Sequence, residues 1–366
     1  METIVISAVN LREGGPLSIL KDCLKVLDDE YSRDYKVVAL VHKKSLFEGF
    51  DNIEFVEYPK SAGSYLYRIF LEYFYFKKIS IKLKPWLWFS LHDITPNVVA
   101  QRRAVYCHNA APFYNLILRD VLLQPGFIFF NVLYKFFYAK NIKLNDFVVV
   151  QQDWLRDKFI KELGVDDVVV SYPSVDSFSE MSAGYGRVDG CKDKYIFVYP
   201  AFPRVFKDIE VICEAVELLH QRGVCGFEVW LTVDGTENRY SRYINKKYGG
   251  LPGVRFMGIQ SREDIVKWYE GSDALIFPSK LETWGLPITE FKVTGKPMLV
   301  VDLPYAHETV GDYDKVSFFS MSDSVQLAGH MQSLIDCRFV PEGNQKVSPG
   351  APFVVGWSKL FEYMLS

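Results

Sequence analysis

Apolar residues in this chain fall in short runs separated by longer amphipathic stretches, and the alternation repeats from end to end. Residues 4–9, 37–41, 53–56, 86–91, 104–107 and 147–150 are apolar runs bounded by polar turns, the pattern of buried strands. Between them, residues 17–30, 64–78 and 153–163 place apolar side chains at helical spacing, the second with an aromatic face. Asp153 stands where it would cap the third. The pattern breaks between Tyr172 and Lys194, where residues 172–186 are rich in Ser, Gly and Pro and read as a linker. It then restarts, with strands expected at 195–199, 228–233, 254–257, 274–277 and 298–301. Helices are expected at 208–221, 261–270, 287–292 and 324–337, and a closing helix at 357–365.

Short buried runs alternating with helices predict βαβ units and parallel sheets. The fold class expected is α/β, with two facing Rossmann-like, doubly wound domains and a cleft between them. The first spans residues 1–180 and the second 190–346, and residues 347–366 form a helix packing back toward the first. Such sheets bind ligands at the carboxyl ends of their strands, where strand order reverses. Two of them facing each other suit two substrates.

Composition narrows the function classes. The 366 residues are 49% hydrophobic and 24% charged, which fits a globular protein and excludes disorder or low-complexity scaffolds. A net charge of −3 argues against a nucleic-acid binder, which needs a basic surface. The six cysteines are scattered without a CxxC pair, so they predict neither a zinc knuckle nor a redox motif but reduced thiols in the cytoplasm. The N-terminus lacks the pattern of a signal peptide, and no apolar stretch approaches bilayer-spanning length.

The most informative segment is Phe277-Pro-Ser-Lys-Leu-Glu-Thr-Trp-Gly-Leu-Pro-Ile-Thr-Glu290. Glu282 lies in a loop after a predicted strand, Pro287 suits a helix start, and Glu290 falls in the first turn. Backbone N–H groups around Trp284, Gly285 and Leu286 make a natural anion cradle, and Gly285 admits close approach by a ligand. Two carboxylates then stand ready to accept bonds from hydroxyls. This segment resembles the signature of the retaining family-4 (group 1) glycosyltransferases of the GT-B fold, through Pro278, Ser279, Glu282, Trp284, Gly285, Leu286, Pro287, Glu290, Gly295 and Pro297. The likeness extends over roughly residues 195–311 and takes in Gly258 before it and residues 302–311 after it. The resemblance implies that Glu290 holds the donor ribose and that Glu282 contacts the transferred sugar. Gly258, Thr283, Trp284, Gly285 and Leu286 complete the donor site it implies. Glu308 matches a family acid to which no role is assigned here.

The stretch Tyr199-Pro-Ala-Phe-Pro-Arg-Val-Phe-Lys-Asp208 resembles the place where family members carry an Arg and a Lys for the donor diphosphate. Lys207 matches. Arg204 is the Arg available, three residues before the Lys rather than the family's five, with Pro203 where a Gly is usual. Fixed cations suit this chemistry because the leaving diphosphate gains charge. Gly14 and Gly15 close the loop after the first strand, which in the family lies near donor phosphates and acceptor. His108, at a predicted strand end, matches a family His that contacts the donor sugar; His92 is a competing candidate after another strand. Aromatics at 65–76 and 127–138 interleave with lysines, which fits either core helices with snorkelling lysines or a membrane interface.

By resemblance the chain is a retaining glycosyltransferase, moving a sugar from a nucleotide-diphosphate donor, of UDP or GDP type, to a hydroxyl of a glycan or lipid-linked glycan. Surface polysaccharide or lipopolysaccharide assembly is the usual setting. Lys207, Arg204, Glu282 and His108 are the expected catalytic residues, acting by a front-face route, because no well-placed carboxylate nucleophile is offered. No cofactor and no metal are expected; Asp312-Tyr-Asp314 has the spelling of a metal motif but lies outside the nucleotide pattern. The expected partners are the donor, the acceptor and a membrane surface, with the protein cytoplasmic or at the inner membrane face. Rival readings are a nucleotide-sugar epimerase of the same architecture and a non-catalytic sugar-binding protein. A dinucleotide dehydrogenase would need GxGxxG after the first strand, which residues 10–16 do not supply.

Overall fold

The computed structural model describes residues 1–61, 63–174 and 194–366. The chain divides into two compact units. The first comprises Met1–Phe113, Val132–Ser174 and Pro349–Ser366; the second comprises Tyr114–Asn131 and Val175–Ser348.

The first unit is built on strands β1 (Glu2–Ala8), β2 (Tyr35–Val41), β3 (Ile53–Glu57), β4 (Leu87–Ser90), β5 (Arg102–Cys107), β6 (Phe147–Val150) and β7 (Val168–Tyr172). All pair in parallel in the order β7-β6-β5-β4-β1-β2-β3, and a last short strand, Phe353–Val355, adds beside β7. Ile4 stands opposite Val37 on one side and Leu87 on the other. Central strands covered on both faces need unbroken apolar runs, and β4 is buried along its whole length. Helix Gly14–Val26 and the closing helix Gly356–Leu365 bury Leu20, Leu24, Leu360 and Phe361 in the core beneath β1 and β2.

The second unit repeats the plan with β8 (Tyr195–Tyr199), β9 (Phe227–Leu231), β10 (Val254–Phe256), β11 (Ala274–Phe277), β12 (Met298–Val301) and β13 (Val316–Phe319). Their order is β10-β9-β8-β11-β12-β13, again all parallel. Numbered within each unit, both sheets contain the order 3-2-1-4-5-6 of a doubly wound nucleotide-binding domain. The strand order reverses between β1 and β4 in one and between β8 and β11 in the other.

The alternating pattern located most strands within a residue or two. It left out β7 and β13, the strand Phe353–Val355, and the helices Leu118–Leu123, Arg239–Tyr248 and Pro304–Val310. Arg239–Tyr248 is mostly polar and starts from Asn238 through a reciprocal capping box with Ser241. Pro304–Val310 is only two turns long. Asp153 does not cap its helix: Gln152 holds that position, and Asp153 is the first helical residue, paired with Arg156 one turn on. Of the predicted linker, Tyr172 is the last residue of β7, and residues 175–186 lie outside the described residues.

Candidate functional site

In the second unit, the loops after β8 and β11 meet at the strand-order reversal. After Tyr199 the chain runs through Pro200–Pro203 to Arg204, makes a tight turn Val205–Lys207, and enters helix Ile209–Gln221 through Asp208 in the left-handed region (φ 49°). Thr232 at the end of β9 clamps this loop, bonding both the N–H (2.7 Å) and the C=O (2.8 Å) of Ala201. Asn238 Nδ2 donates to the carbonyl of Pro203 at 2.7 Å. The two loops are tied directly: the N–H of Lys280 donates to the carbonyl of Phe206 at 2.7 Å, and Lys280 Nζ lies 2.9 Å from Asp208 Oδ1. Lys207 Nζ pairs with Glu282 Oε1, so a cation from the first loop meets an acid from the second, each side chain 16% exposed. Tyr199 and Tyr305 underlie the loops, donating to the carbonyls of Lys207 (3.1 Å) and Ser279 (2.5 Å). Burial pushes both phenols well above their ordinary pKa, so they stay neutral donors.

Gly285 precedes helix Leu286–Lys292 with φ 82°, a conformation that favours glycine, and a Cβ there would sit 3.4 Å from Ile288 and 3.5 Å from Phe277. Pro287 stands at the helix start as expected. Trp284 is buried with its indole N–H on Thr289 Oγ1 at 2.9 Å, and Thr283 is half-buried beside it. Leu286 is exposed. Glu290 is the fifth residue of the helix, just past the first turn where it was expected, because the helix begins one residue earlier, at Leu286. Its buried carboxylate accepts from Arg262 (2.7 Å) and from the Tyr269 hydroxyl (3.0 Å). Gly258 follows β10 with φ 68°, and a Cβ there would lie 2.7 Å from Asp234 Oδ2. Next to this turn is a cleft of about 190 Å³ lined by Pro200, Ala201, Phe202, Thr232, Ile259 and Gln260, with Ile265. Arg204 is exposed, its guanidinium 4.9 Å from the Phe202 ring. Glu308 is half-buried on helix Pro304–Val310.

In the first unit, Gly14 (φ 65°) and Gly15 open the helix that follows β1, at that sheet's strand-order reversal. His92, after β4, is fully buried and bonded on both ring nitrogens: Nδ1 to the carbonyl of Ser7 at 2.8 Å, Nε2 to the Glu72 carboxylate. Arg68 completes this core cluster, donating to the carbonyl of His92 at 2.8 Å. His108, after β5, is 12% exposed, and its Nδ1 lies 3.7 Å from Asp93 Oδ1, beyond hydrogen-bond reach. Asp93 is fixed from elsewhere, by the N–H of His108 (2.8 Å) and the Tyr138 hydroxyl (2.8 Å). Of the two histidines, His92 is spent on the core and His108 retains an unused nitrogen.

Residues 190–351 match the family model of glycosyl transferases group 1. The matched stretch takes in all six strands of the second unit's sheet. No curated protein sequence matches the chain. Among solved structures, the chain is similar to sucrose-phosphate synthase from Thermosynechococcus elongatus (12% identity, 92% of this chain and 90% of that one, TM-score 0.61). It is likewise similar to the lipopolysaccharide outer core galactosyltransferase WaaB (12%, 92% and 91%, 0.62) and to Anabaena HepE, solved with UDP-glucose (14%, 92% and 91%, 0.60). Identities this low establish the fold: two Rossmann-like domains of the GT-B class.

Within the matched stretch, Lys207 and Glu282 come together, and Glu290 lies on the helix that continues their loop. Gly14, Gly15 and His108 belong to the other unit. Sequence reasoning missed three participants. Arg262 and Tyr269 fix Glu290, and no spacing rule points to them. The third is the segment Tyr114–Asn131, which comes from between β5 and β6 yet belongs with the second unit. Its Gln124 Oε1 accepts from the N–H of Val205 at 3.3 Å, and Tyr114 and Phe127 place their rings 6.2 and 5.4 Å from Phe206. Arg119 lies 3.3 Å from Glu210 at the head of the following helix. The segment thus backs the Arg204–Lys207 turn. Among the described residues, no group of three or more His, Cys, Asp or Glu side chains is arranged to hold a metal ion. Asp312 accepts from the N–H of Lys346 at 2.6 Å, a loop-to-loop bond.

Proposed function

We propose that the protein transfers a sugar from a UDP- or GDP-type donor to a hydroxyl of a glycan or lipid-linked glycan, with retention at the anomeric carbon. The observation that carries this reading is the Lys207–Glu282 pair on two cross-bonded loops at the strand-order reversal of a group 1 glycosyltransferase domain. In that place Lys207 meets the donor diphosphate as its charge grows on bond cleavage, and Arg204, exposed and unpaired among the described residues, adds a second cation. Diphosphate binding draws Lys207 from Glu282 and frees that carboxylate to accept from a sugar hydroxyl. Glu290, already accepting from Arg262 and Tyr269, has lone pairs left for the ribose hydroxyls. The cleft by Gly258 and Ile259 is apolar enough to take the flat face of a base. Gly14, Gly15 and His108 serve the sugar and acceptor side, His108 through its unbonded nitrogen.

The reaction proceeds on one face of the sugar. The diphosphate departs, positive charge develops at the anomeric carbon, and the acceptor oxygen attacks from the side the diphosphate left. The acceptor proton passes to the departing phosphate oxygen. HepE binding UDP-glucose and WaaB acting as a galactosyltransferase on lipopolysaccharide outer core support a UDP-type donor and a surface glycan acceptor. The described cysteines are all free thiols, which fits a reducing cytoplasm.

A thermal-shift panel of UDP, GDP, ADP and CMP sugars tests the reading, because a bound donor stabilises the fold by mass action. One of them should raise the melting temperature in a concentration-dependent way. No shift with any would remove the reading. An epimerase would convert the donor with no acceptor present, so product analysis of donor alone separates it.

A further inference from the structure

We propose that the outward face of the helix at residues 65–83 docks on an anionic lipid bilayer. The helix runs without a break through Tyr65–Phe70, a wider turn at Leu71–Tyr75, and Phe76–Leu83. Its inner face is fixed in the protein: Arg68, Glu72, Phe76 and Ser80 are buried, and Glu72 holds His92. The opposite face is apolar where a polar surface is the rule. Leu66 is 80% exposed, Phe74 64% and Phe70 49%, spaced four residues apart on one stripe. Phe70 and Phe74 stack at 6.2 Å, so the stripe is a continuous apolar surface rather than scattered side chains.

Charge names the occupant. Down the same helix the exposed face passes from aromatics to Lys77, Lys78 and Lys82, followed by Lys84 at the cap. The one acid between residues 65 and 84 is Glu72, which is buried and engaged. An apolar stripe running into lysines with no exposed acid is complementary to a surface that offers acyl chains and negative headgroups together. Among the described residues no helix is long and apolar enough to cross a membrane, so the contact proposed lies on the surface. Because the helix is already locked in place, docking requires no coupled folding. This proposal does not rest on the transfer reaction.

Co-sedimentation of the full chain with vesicles tests it. Vesicles of phosphatidylcholine with about 30% phosphatidylglycerol should bind the protein roughly tenfold or more better than phosphatidylcholine alone, and salt should weaken the binding. Phe70→Ser with Phe74→Ser should abolish binding, and Lys77→Gln with Lys78→Gln and Lys82→Gln should remove the salt-sensitive part. All five positions are exposed, so the melting temperature should stay put and report that each variant is folded. Failure of the unaltered protein to bind would overturn the proposal, as would binding that the variants leave unchanged. Self-association that depends on Phe70 and Phe74, without vesicle binding, would assign the face to a second copy and overturn it equally.

Discussion

Replacing Lys207 by methionine separates the two partners that the ammonium serves. In the free protein Lys207 Nζ pairs with Glu282, both side chains largely shielded from water. A diphosphate in the same loop would take over that cation. At about 4 Å and an effective dielectric near 20, a unit charge pair is worth ~4 kcal/mol, an upper figure before desolvation. Hydrogen bonds to charged groups retain about 1.5–3 kcal/mol net. Lys207→Met should therefore weaken binding of the preferred nucleoside diphosphate by about 10- to 150-fold. Part of this loss is repulsion, because Glu282 is left facing the diphosphate without its partner. Adding Glu282→Gln removes that charge, and the double variant should recover roughly fivefold of the loss, a coupling that a double-mutant cycle isolates. Isothermal titration with UDP and GDP reads both numbers. An affinity within about twofold of the unaltered protein for Lys207→Met, or a deeper loss in the double variant, would refute the reasoning.

Tyr269→Phe deletes a hydroxyl that donates to Glu290 at 3.0 Å in a buried setting, and should cost about 1.5–3 kcal/mol in urea unfolding; an unchanged midpoint would deny the bond a structural part. Gln124→Ala removes the acceptor from the N–H of Val205, so hydrogen exchange at Val205 should speed up about fivefold, the equivalent of ~1 kcal/mol, and unchanged protection would detach the Tyr114–Asn131 segment from the turn. Arg255 donates twice to Glu228, at 2.5 and 2.8 Å, and holds its carboxyl well down from 4.5, to about 2. A group lowered in this way contributes stability above its unfolded pKa and loses it as pH falls through the folded one. The contribution should fade between pH 4.5 and 2, and Glu228→Gln should flatten the stability curve there; superimposable curves would contradict the assignment. Gly258→Ala forces a Cβ into the left-handed region and against Asp234, and should lower stability by about 1–3 kcal/mol in thermal melts.

The strands β8 and β11 were legible because parallel sheets bury both faces, and a run as short as Ala274–Phe277 between polar turns suits a buried strand. The loop residues stood out through a dense motif: Glu282, Trp284, Gly285, Pro287 and Glu290 fall together in one short turn and helix. What escaped was set by long-range contact. His92 and His108 look alike in sequence, each a histidine after a strand, and only packing shows one bonded at both nitrogens and the other not. Arg262 reaches Glu290 across 28 residues of chain, a pairing no local period encodes. The segment Tyr114–Asn131 sits in the first half of the sequence and in the second unit of the fold. The aromatic cluster at 127–138 read as core or membrane face, whereas its first member, Phe127, packs against Phe206 in the second unit.

The most direct measurement is the structure of the full chain with the nucleoside diphosphate that most raises its melting temperature. The phosphates should lie within hydrogen-bond reach of Lys207 Nζ, with that ammonium drawn off Glu282, and the ribose hydroxyls should rest on Glu290. Density for the ligand away from the loops after β8 and β11, with the Lys207–Glu282 pair intact, would contradict the account.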